Sequence, residues 1–149
     1  MIRTNLGRIF SCGNGSTFAL GHGTRDSLTA FRIVDLPEND IKYIACGLSH
    51  SGAVTTEGNV YIWGLSGNIM NHKEPLQDVF LHRTPKLVSF KHLFEREPGS
   101  NRRKSATENN QEITKAHPPV IEELHLGEYF SLALSKRGYV YSWGSNDIG

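Results

Sequence analysis

The sequence is poor in cysteine, has no excess of either charge and contains no long apolar run, and each lack excludes something. Two cysteines, Cys12 and Cys46, among 149 residues cannot build the framework of a disulfide-stapled secreted domain. They form no Cys-x-x-Cys pair, which removes zinc-ribbon and thioredoxin-type readings. Lys and Arg total 16 against 15 Asp and Glu, a formal charge of +1. That balance excludes a strongly basic nucleic-acid binder and an acidic tail protein. No apolar stretch approaches the roughly 18 residues that a spanning helix needs, and Met1 to Gly7 lacks the apolar core of an export signal. These lacks give the expectation of a soluble intracellular protein, cytoplasmic or nuclear, that contacts neither membrane nor nucleic acid directly. Chemical signatures are equally sparse. The 7 histidines show no His-x-x-x-His ligand spacing, so no metal is expected. Gly13-Asn14-Gly15-Ser16, with Gly21 and Gly23 beyond it, lacks the Gly-Lys-Ser/Thr of a phosphate loop, reads as turn chemistry and implies no cofactor. Nothing resembles a Ser-His-Asp arrangement, so no catalytic residue is assigned and the chain by itself is expected not to be an enzyme.

Glycine is what the chain has in quantity, 15 residues or roughly a tenth, against a usual ~7%. Without collagen periodicity that excess indicates many tight turns between short strands. Several of the glycines recur in a repeat. Gly7-Arg8-Ile9-Phe10-Ser11-Cys12-Gly13, Gly58-Asn59-Val60-Tyr61-Ile62-Trp63-Gly64 and Gly138-Tyr139-Val140-Tyr141-Ser142-Trp143-Gly144 match, the second 51 residues after the first and the third 80 after the second. A second block, Gly47 to Val54, aligns without gaps to Gly127 to Leu134 at the same offset of 80. Phe31 to Val34 corresponds to Pro85 to Val88 at an offset of 54, and Ile41 to Cys46 to Ile121 to Leu126 at 80. The unit is thus about 51 residues, within the range of propeller and solenoid repeats. The second copy carries 29 extra, 26 of them between Val88 and Ile121.

Each unit reads as short strands. Ile41 to Cys46, Ser51 to Thr55 and Asn59 to Trp63 follow one another, the last two joined by a tight hairpin at Glu57-Gly58; Lys136-Arg137-Gly138 repeats that turn. Ala30 to Leu36 and Pro85 to Phe90 supply a further strand. On Val60 to Trp63 both faces are apolar, which predicts burial on both sides, as in stacked propeller blades. Tyr61, Trp63, Tyr139, Tyr141 and Trp143 are therefore expected in the core between blades rather than stacking on bases. Cys12 and Cys46 are expected to be inert core thiols.

These units resemble the regulator of chromosome condensation repeat. Its pattern, Gly-x-Val-Tyr-x-Trp-Gly-x-Asn-x-x-Gly-Gln-Leu-Gly-His-Gly, then Pro-x-x-Val, then Gly-x-x-His-Ser-x-Ala-Leu, is met at Gly58 to Trp63, Gly138 to Asn146, Leu20-Gly21-His22-Gly23, Thr84-Pro85 with Val88, and Gly47 to Ala53. Cys12 replaces the first Trp, Phe31 stands where Pro is usual, Asn71-His72 replaces Leu-Gly and Phe130 replaces His. The resemblance covers nearly everything from Gly7 to Gly149 except the insert. It implies an all-β partial propeller: about two four-stranded blades plus one strand, with repeats starting near residues 7, 58 and 138. It makes Gly13, Gly21, His22, Gly23, Gly47, His50, Gly58, Trp63, Gly64, Gly127, Gly138, Trp143 and Gly144 structural repeat residues.

The polar insert, residues 91–119, is expected to be a flexible surface loop. Within it Arg102-Arg103-Lys104-Ser105 fits the pattern of basophilic kinases, making Ser105 a candidate phosphorylation site. A seven-bladed propeller would need roughly 360 residues at this repeat length. The chain is therefore expected to be a piece of a larger propeller, or to close by oligomerising, since open blades leave free edges and bare faces. The resemblance implies a protein–protein interaction module. Its alternatives are a guanine-nucleotide exchange factor for a Ran-type small GTPase, and the regulatory propeller of a larger kinase or ubiquitin ligase. Its partners would be proteins, a small GTPase among them.

Overall fold

The structure is a computed structural model, and it describes residues 1–66, 81–90 and 118–144. The chain divides into two units, Met1–Val88 with Val120–Gly149, and Ser89–Pro119. The second unit consists almost wholly of residues outside the described set, so the expectations for the insert, for Arg102, Arg103 and Ser105, and for Asn71-His72 lie outside the described residues.

Among the described residues of the first unit every regular element is a strand: β1 (Ile2–Arg3), β2 (Ile9–Gly13), β3 (Leu28–Ile33), β4 (Ile41–Cys46), β5 (His50–Thr55), β6 (Val60–Leu65), β7 (Leu81–Leu87), β8 (Ile121–Leu126), β9 (Phe130–Ser135) and β10 (Val140–Gly144). They form three antiparallel sheets, β1-β2-β3, β4-β5-β6-β7 and β10-β9-β8. The all-β partial propeller is as expected, but the strands are shared out differently, as one four-stranded sheet between two three-stranded ones. The reason is phase. The sequence repeat opens at the hairpin between the second and third strands of a sheet, whereas a sheet opens at β4 or β8. The outer strands also begin and end earlier than the sequence suggests, at Leu28–Ile33 and Leu81–Leu87.

The pairing registers reproduce the sequence offsets. Phe10 faces Ile33 and Tyr61 faces Leu87; Ser11 faces Arg32 and Ile62 faces Lys86. Ile41 faces Thr55 as Ile121 faces Ser135, and His50 faces Gly64 as Phe130 faces Gly144. The repeat also reaches further back than Gly7. Ile2 and Arg3 pair with Phe10 and Ile9, the places that Ala53 and Val54 take against Tyr61 and Val60.

The hairpins are built alike. In each, a hydroxyl accepts the amide four residues on: Arg8 to Thr4 Oγ1 at 3.2 Å, Asn59 to Thr55 Oγ1 at 3.1 Å, Tyr139 to Ser135 Oγ at 3.0 Å. Each turn then closes on a glycine at positive φ, Gly7 at 72°, Gly58 at 90° and Gly138 at 83°. Only glycine holds that conformation without strain.

The middle sheet is buried on both faces, as the alternation on Val60 to Trp63 requires; every residue of β5 and β6 is buried. Tyr61, Trp63 and Ala53 join Ile9, Val34, Leu36 and Ile41 in one apolar cluster against the first sheet. The opposite face meets the third sheet, where Leu124 lies against Gly52 and Ile121 and Leu124 are wholly buried. Among the described residues the third sheet has cover on one face only: Val140 is 66% exposed where its counterpart Val60 is 1%.

Candidate functional site

The shared residues of the repeat gather at the two seams between sheets. The first seam is held by the loop from Gly15 to Gly23. Its Ala19 carbonyl accepts two hydrogen bonds from the middle sheet, from Trp63 Nε1 at 2.9 Å and from Ser51 Oγ at 2.9 Å. From the first sheet, Ser11 Oγ donates to the next carbonyl, Leu20 O, at 2.7 Å. Gly23 N donates to Arg83 O at 3.0 Å, tying the same loop to β7. Ser11, Ser51 and Trp63 are buried, so losing the acceptor of any of the three would strand a buried donor at a cost of about 1–3 kcal/mol. Gly21 is packed here, because a Cβ would come within 2.9 Å of Trp63 Nε1. Phe18 is the loop's one non-glycine residue at positive φ, 62°. It is buried, with the guanidinium carbons of Arg25 and Arg83 at 5.1 and 5.5 Å from its ring centre.

His22 lies 2.9 Å from Ser11 Oγ through Nε2. Since Ser11 gives its single proton to Leu20 O, His22 must be the donor. It therefore cannot act as general base on that serine, and the pair is not an activated nucleophile. Desolvation first, then the nearby Arg32 charge, pulls the His22 pKa below its usual value. His22 also lines a cavity of about 600 Å³ with Gly21, Arg32, Ile33, Asp35 and Thr84, between the outer strands β3 and β7.

The second seam repeats the logic. His50 is fully buried, and its Nε2 lies 3.2 Å from Ser131 Oγ of the third sheet. Desolvation draws its pKa down, against a smaller opposing pull from the Phe130 backbone; the ring is neutral in the fold. Gly47 donates to His50 O at 2.8 Å as Gly127 donates to Phe130 O at 2.9 Å. The loops touch across the seam, Leu48 N to Gly127 O at 3.4 Å. Two of the three hairpin glycines also receive the start of the next sheet: Ile41 N donates to Gly7 O at 3.3 Å and Ile121 N to Gly58 O at 3.1 Å. Gly64 and Gly144 pack their backbones against Ser49–His50 and Tyr129–Phe130 respectively. Gly13 and Gly138 stand in open space. Trp143 is half-buried.

Two expectations fail. Cys46 is exposed and Cys12 only half-buried. Cys46 is the last residue of β4, where the chain leaves the sheet. Among the aromatics Tyr61 and Trp63 are core and Tyr141 is half-buried, but Tyr139 is 53% exposed. It occupies the place of Asn59 at the hairpin mouth, beyond the covered part of the strand. Other residues that matter carry no repeat signature. Glu38 accepts from Asn59 Nδ2 at 3.2 Å and from Tyr61 OH at 2.9 Å. Burial and this carboxylate push the Tyr61 pKa up to about 12. Only its position in the loop between β3 and β4, ahead of Tyr61, hints at that role.

Among the described residues no group of three or more His, Cys, Asp or Glu side chains converges on a metal-sized site.

Comparison with known proteins agrees with this geometry. Two family models, both described as the regulator of chromosome condensation (RCC1) repeat, match residues 7–54, and 41–68 with 126–147. The human E3 ubiquitin-protein ligase HERC2 is 31% identical over 168 residues, covering 95% of this chain and 4% of the ligase. The bovine secretion-regulating guanine nucleotide exchange factor is 29% identical over 155 residues, covering 100% of this chain and 28% of its own. Among solved structures, Prp20p of Saccharomyces cerevisiae superposes with a TM-score of 0.62 at 24% identity, over 100% of this chain and 32% of Prp20p. The chain thus spans less than a third of each of these relatives. Matching family models over more than half its length, and the same residues at the same seams in successive sheets, establish that the chain belongs to the regulator of chromosome condensation (RCC1) repeat family.

Proposed function

We propose that this chain works as a protein–protein interaction module and carries no chemistry of its own. One observation supports this above the others. The repeat residues Trp63, His50, Ser11 and Ser51, with Gly21, Gly47, Gly58 and Gly64, are spent on hydrogen bonds and packing between sheets. What such a stack offers to a partner is a rigid frame with loops at its ends, a common arrangement for recognition. The partners are proteins. The two free cysteines suit a reducing compartment, the cytoplasm or nucleus.

Exchange activity on a Ran-type GTPase is the second reading, favoured by the likeness to an exchange factor. A regulatory propeller in a larger ligase is the third, favoured by the likeness to HERC2. Affinity capture with quantitative mass spectrometry tests the first: the intact chain and a variant lacking residues 91–119 should differ in the partners they recover. Identical, empty captures would contradict it. Release of fluorescent GDP from a Ran-type GTPase tests the second, and the interaction reading expects no acceleration at micromolar protein.

A further inference from the structure

The outer strands β3 and β7 hold an unequal share of the charge. The chain as a whole is nearly neutral, at +1, yet these strands carry Arg32, Arg83 and Lys86 and neither Asp nor Glu. Arg25 adds a fourth cation in the loop that leads into β3. Among the described residues no carboxylate forms an ion pair with Arg25, Arg32 or Arg83. Two of these guanidiniums are held in place by Phe18. A bulky residue rarely takes its φ of 62°, and two hydrogen bonds pin it there: Phe18 N donates to Gly15 O at 2.9 Å and Gly21 N to Phe18 O at 3.0 Å. The ring then lies 5.1 Å from the Arg25 guanidinium and 5.5 Å from that of Arg83, within cation–π reach. Arg83 is followed by Thr84 and Pro85, which line the cavity of about 600 Å³ between the outer strands, and Arg32 lines it directly. That volume suits a few side chains of a ligand. Ile33, Pro37 and Pro85 make its apolar wall, and Asp35 is the one acid on it. The Arg32 charge is felt across the cavity, where it adds to desolvation in lowering the His22 pKa.

We propose that the cavity between β3 and β7 is a docking site for a carboxylate-bearing segment of a partner protein, with an acidic side chain on Arg32 and an apolar one against Ile33, Pro37 and Pro85. The proposal rests on the interaction reading above and names its surface. Charge complementarity selects the occupant. An unpaired guanidinium presents a planar fork of donors that a carboxylate fills bidentately. Arg25 and Arg83 extend the attraction to the acid's neighbours in the segment, and Asp35 repels a carboxylate placed at the other side, which fixes the direction of binding. Nucleic acid fits less well. A duplex is commonly gripped through about 6–10 phosphate contacts, and four cations with an acid and an apolar wall among them make no such track.

The test is fluorescence anisotropy of a labelled peptide of alternating Glu and Leu, titrated with the intact chain. The expected result is saturable binding that weakens with added salt and is lost when Gln replaces the Glu residues or Ser the Leu residues. Arg32→Glu should weaken it about tenfold or more, with far-UV circular dichroism unchanged. Arg83→Glu is the second variant, should Arg32→Glu fail to fold, and should weaken it likewise. Asp35→Asn should tighten it by about two- to fivefold. Lys136→Glu, at the hairpin of the third sheet, should leave it unchanged. No binding would overturn the proposal. So would binding that survives both arginine variants, binding that Lys136→Glu weakens equally, or tighter binding of a single-stranded oligonucleotide or a phosphoserine peptide of the same length. Affinity capture with the intact chain and with Arg32→Glu separates this site from the reading beneath it. Partners recovered equally by both would overturn the site and leave the interaction reading standing, whereas empty captures from both would overturn the two together.

Discussion

Gly58 and Gly138 allow the seam between sheets to be weighed directly. They are the same residue of the same hairpin in neighbouring sheets, at φ 90° and 83°. An alanine at either must hold left-handed backbone, which costs about 1–2 kcal/mol. Their surroundings then part. A Cβ at Gly58 would stand 2.6 Å from Ile121 N, 2.6 Å from Val120 Cγ1 and 2.7 Å from Val120 Cα, whereas at Gly138 nothing lies within 4 Å. Two of those three atoms are backbone, so no rotamer change relieves the clash and the entry to β8 must shift. Overpacking of that kind adds about 1–3 kcal/mol. Gly138→Ala should therefore cost about 1–2 kcal/mol and Gly58→Ala about 2–5 kcal/mol. Equilibrium unfolding in urea, followed by circular dichroism with m-values compared, reads both. Equal losses would show that the conformational term is the whole effect and that the seam is not tight at Gly58. A greater loss at Gly138 would contradict the stacking outright.

Further predictions follow from the same seams. Trp63→Phe removes the N–H that reaches Ala19 O at 2.9 Å and part of a fully buried ring, and should lower stability by about 2–3 kcal/mol in the same urea assay. His50 is neutral in the fold because burial lowers its pKa from 6.5. The unfolded chain binds that proton more readily, so stability should be full above pH 6.5 and fall as pH drops from there toward the folded pKa, by at most about 1.4 kcal/mol per pH unit. His50→Asn should flatten the profile in that window, and an unchanged slope would remove His50 as its source. Cys46, exposed, should react with a thiol reagent faster than half-buried Cys12, which Cys46→Ser would verify by removing the fast phase.

Much of this was legible in the sequence because a repeat carries its own register. The offsets of 51, 54 and 80 residues between matching segments locate hydrogen-bonded partners, and Tyr61 with Leu87 or Ile121 with Ser135 pair where those offsets put them. The two-sided burial of β6 followed from its apolar faces. What a repeat does not encode is how far a neighbour covers each copy. Val60 and Val140 are the same residue in the pattern, yet one is dry and the other bare; Tyr139 is exposed for the same reason, and Cys46 because it ends β4. The key acceptor was equally hidden. Ala19 serves the seam through its carbonyl, a group every residue possesses, so no side chain announces it. Ser51 was visible as part of a motif, but its role depends on that carbonyl. Of Thr4, Thr55 and Ser135, only a three-way alignment extended back beyond Gly7 reveals the shared hydroxyl that closes each hairpin.

The account rests on the claim that recurrent residues tie one sheet to the next rather than perform chemistry, and His50 with Ser131 is where that claim is most exposed. The pair spans the second seam at 3.2 Å. A double-mutant cycle of His50→Ala, Ser131→Ala and the double variant, read by urea unfolding, isolates their coupling. The account predicts a favourable coupling of about 1 kcal/mol, the net worth of a buried neutral hydrogen bond. Effects that simply add, to within about 0.3–0.5 kcal/mol, would contradict it.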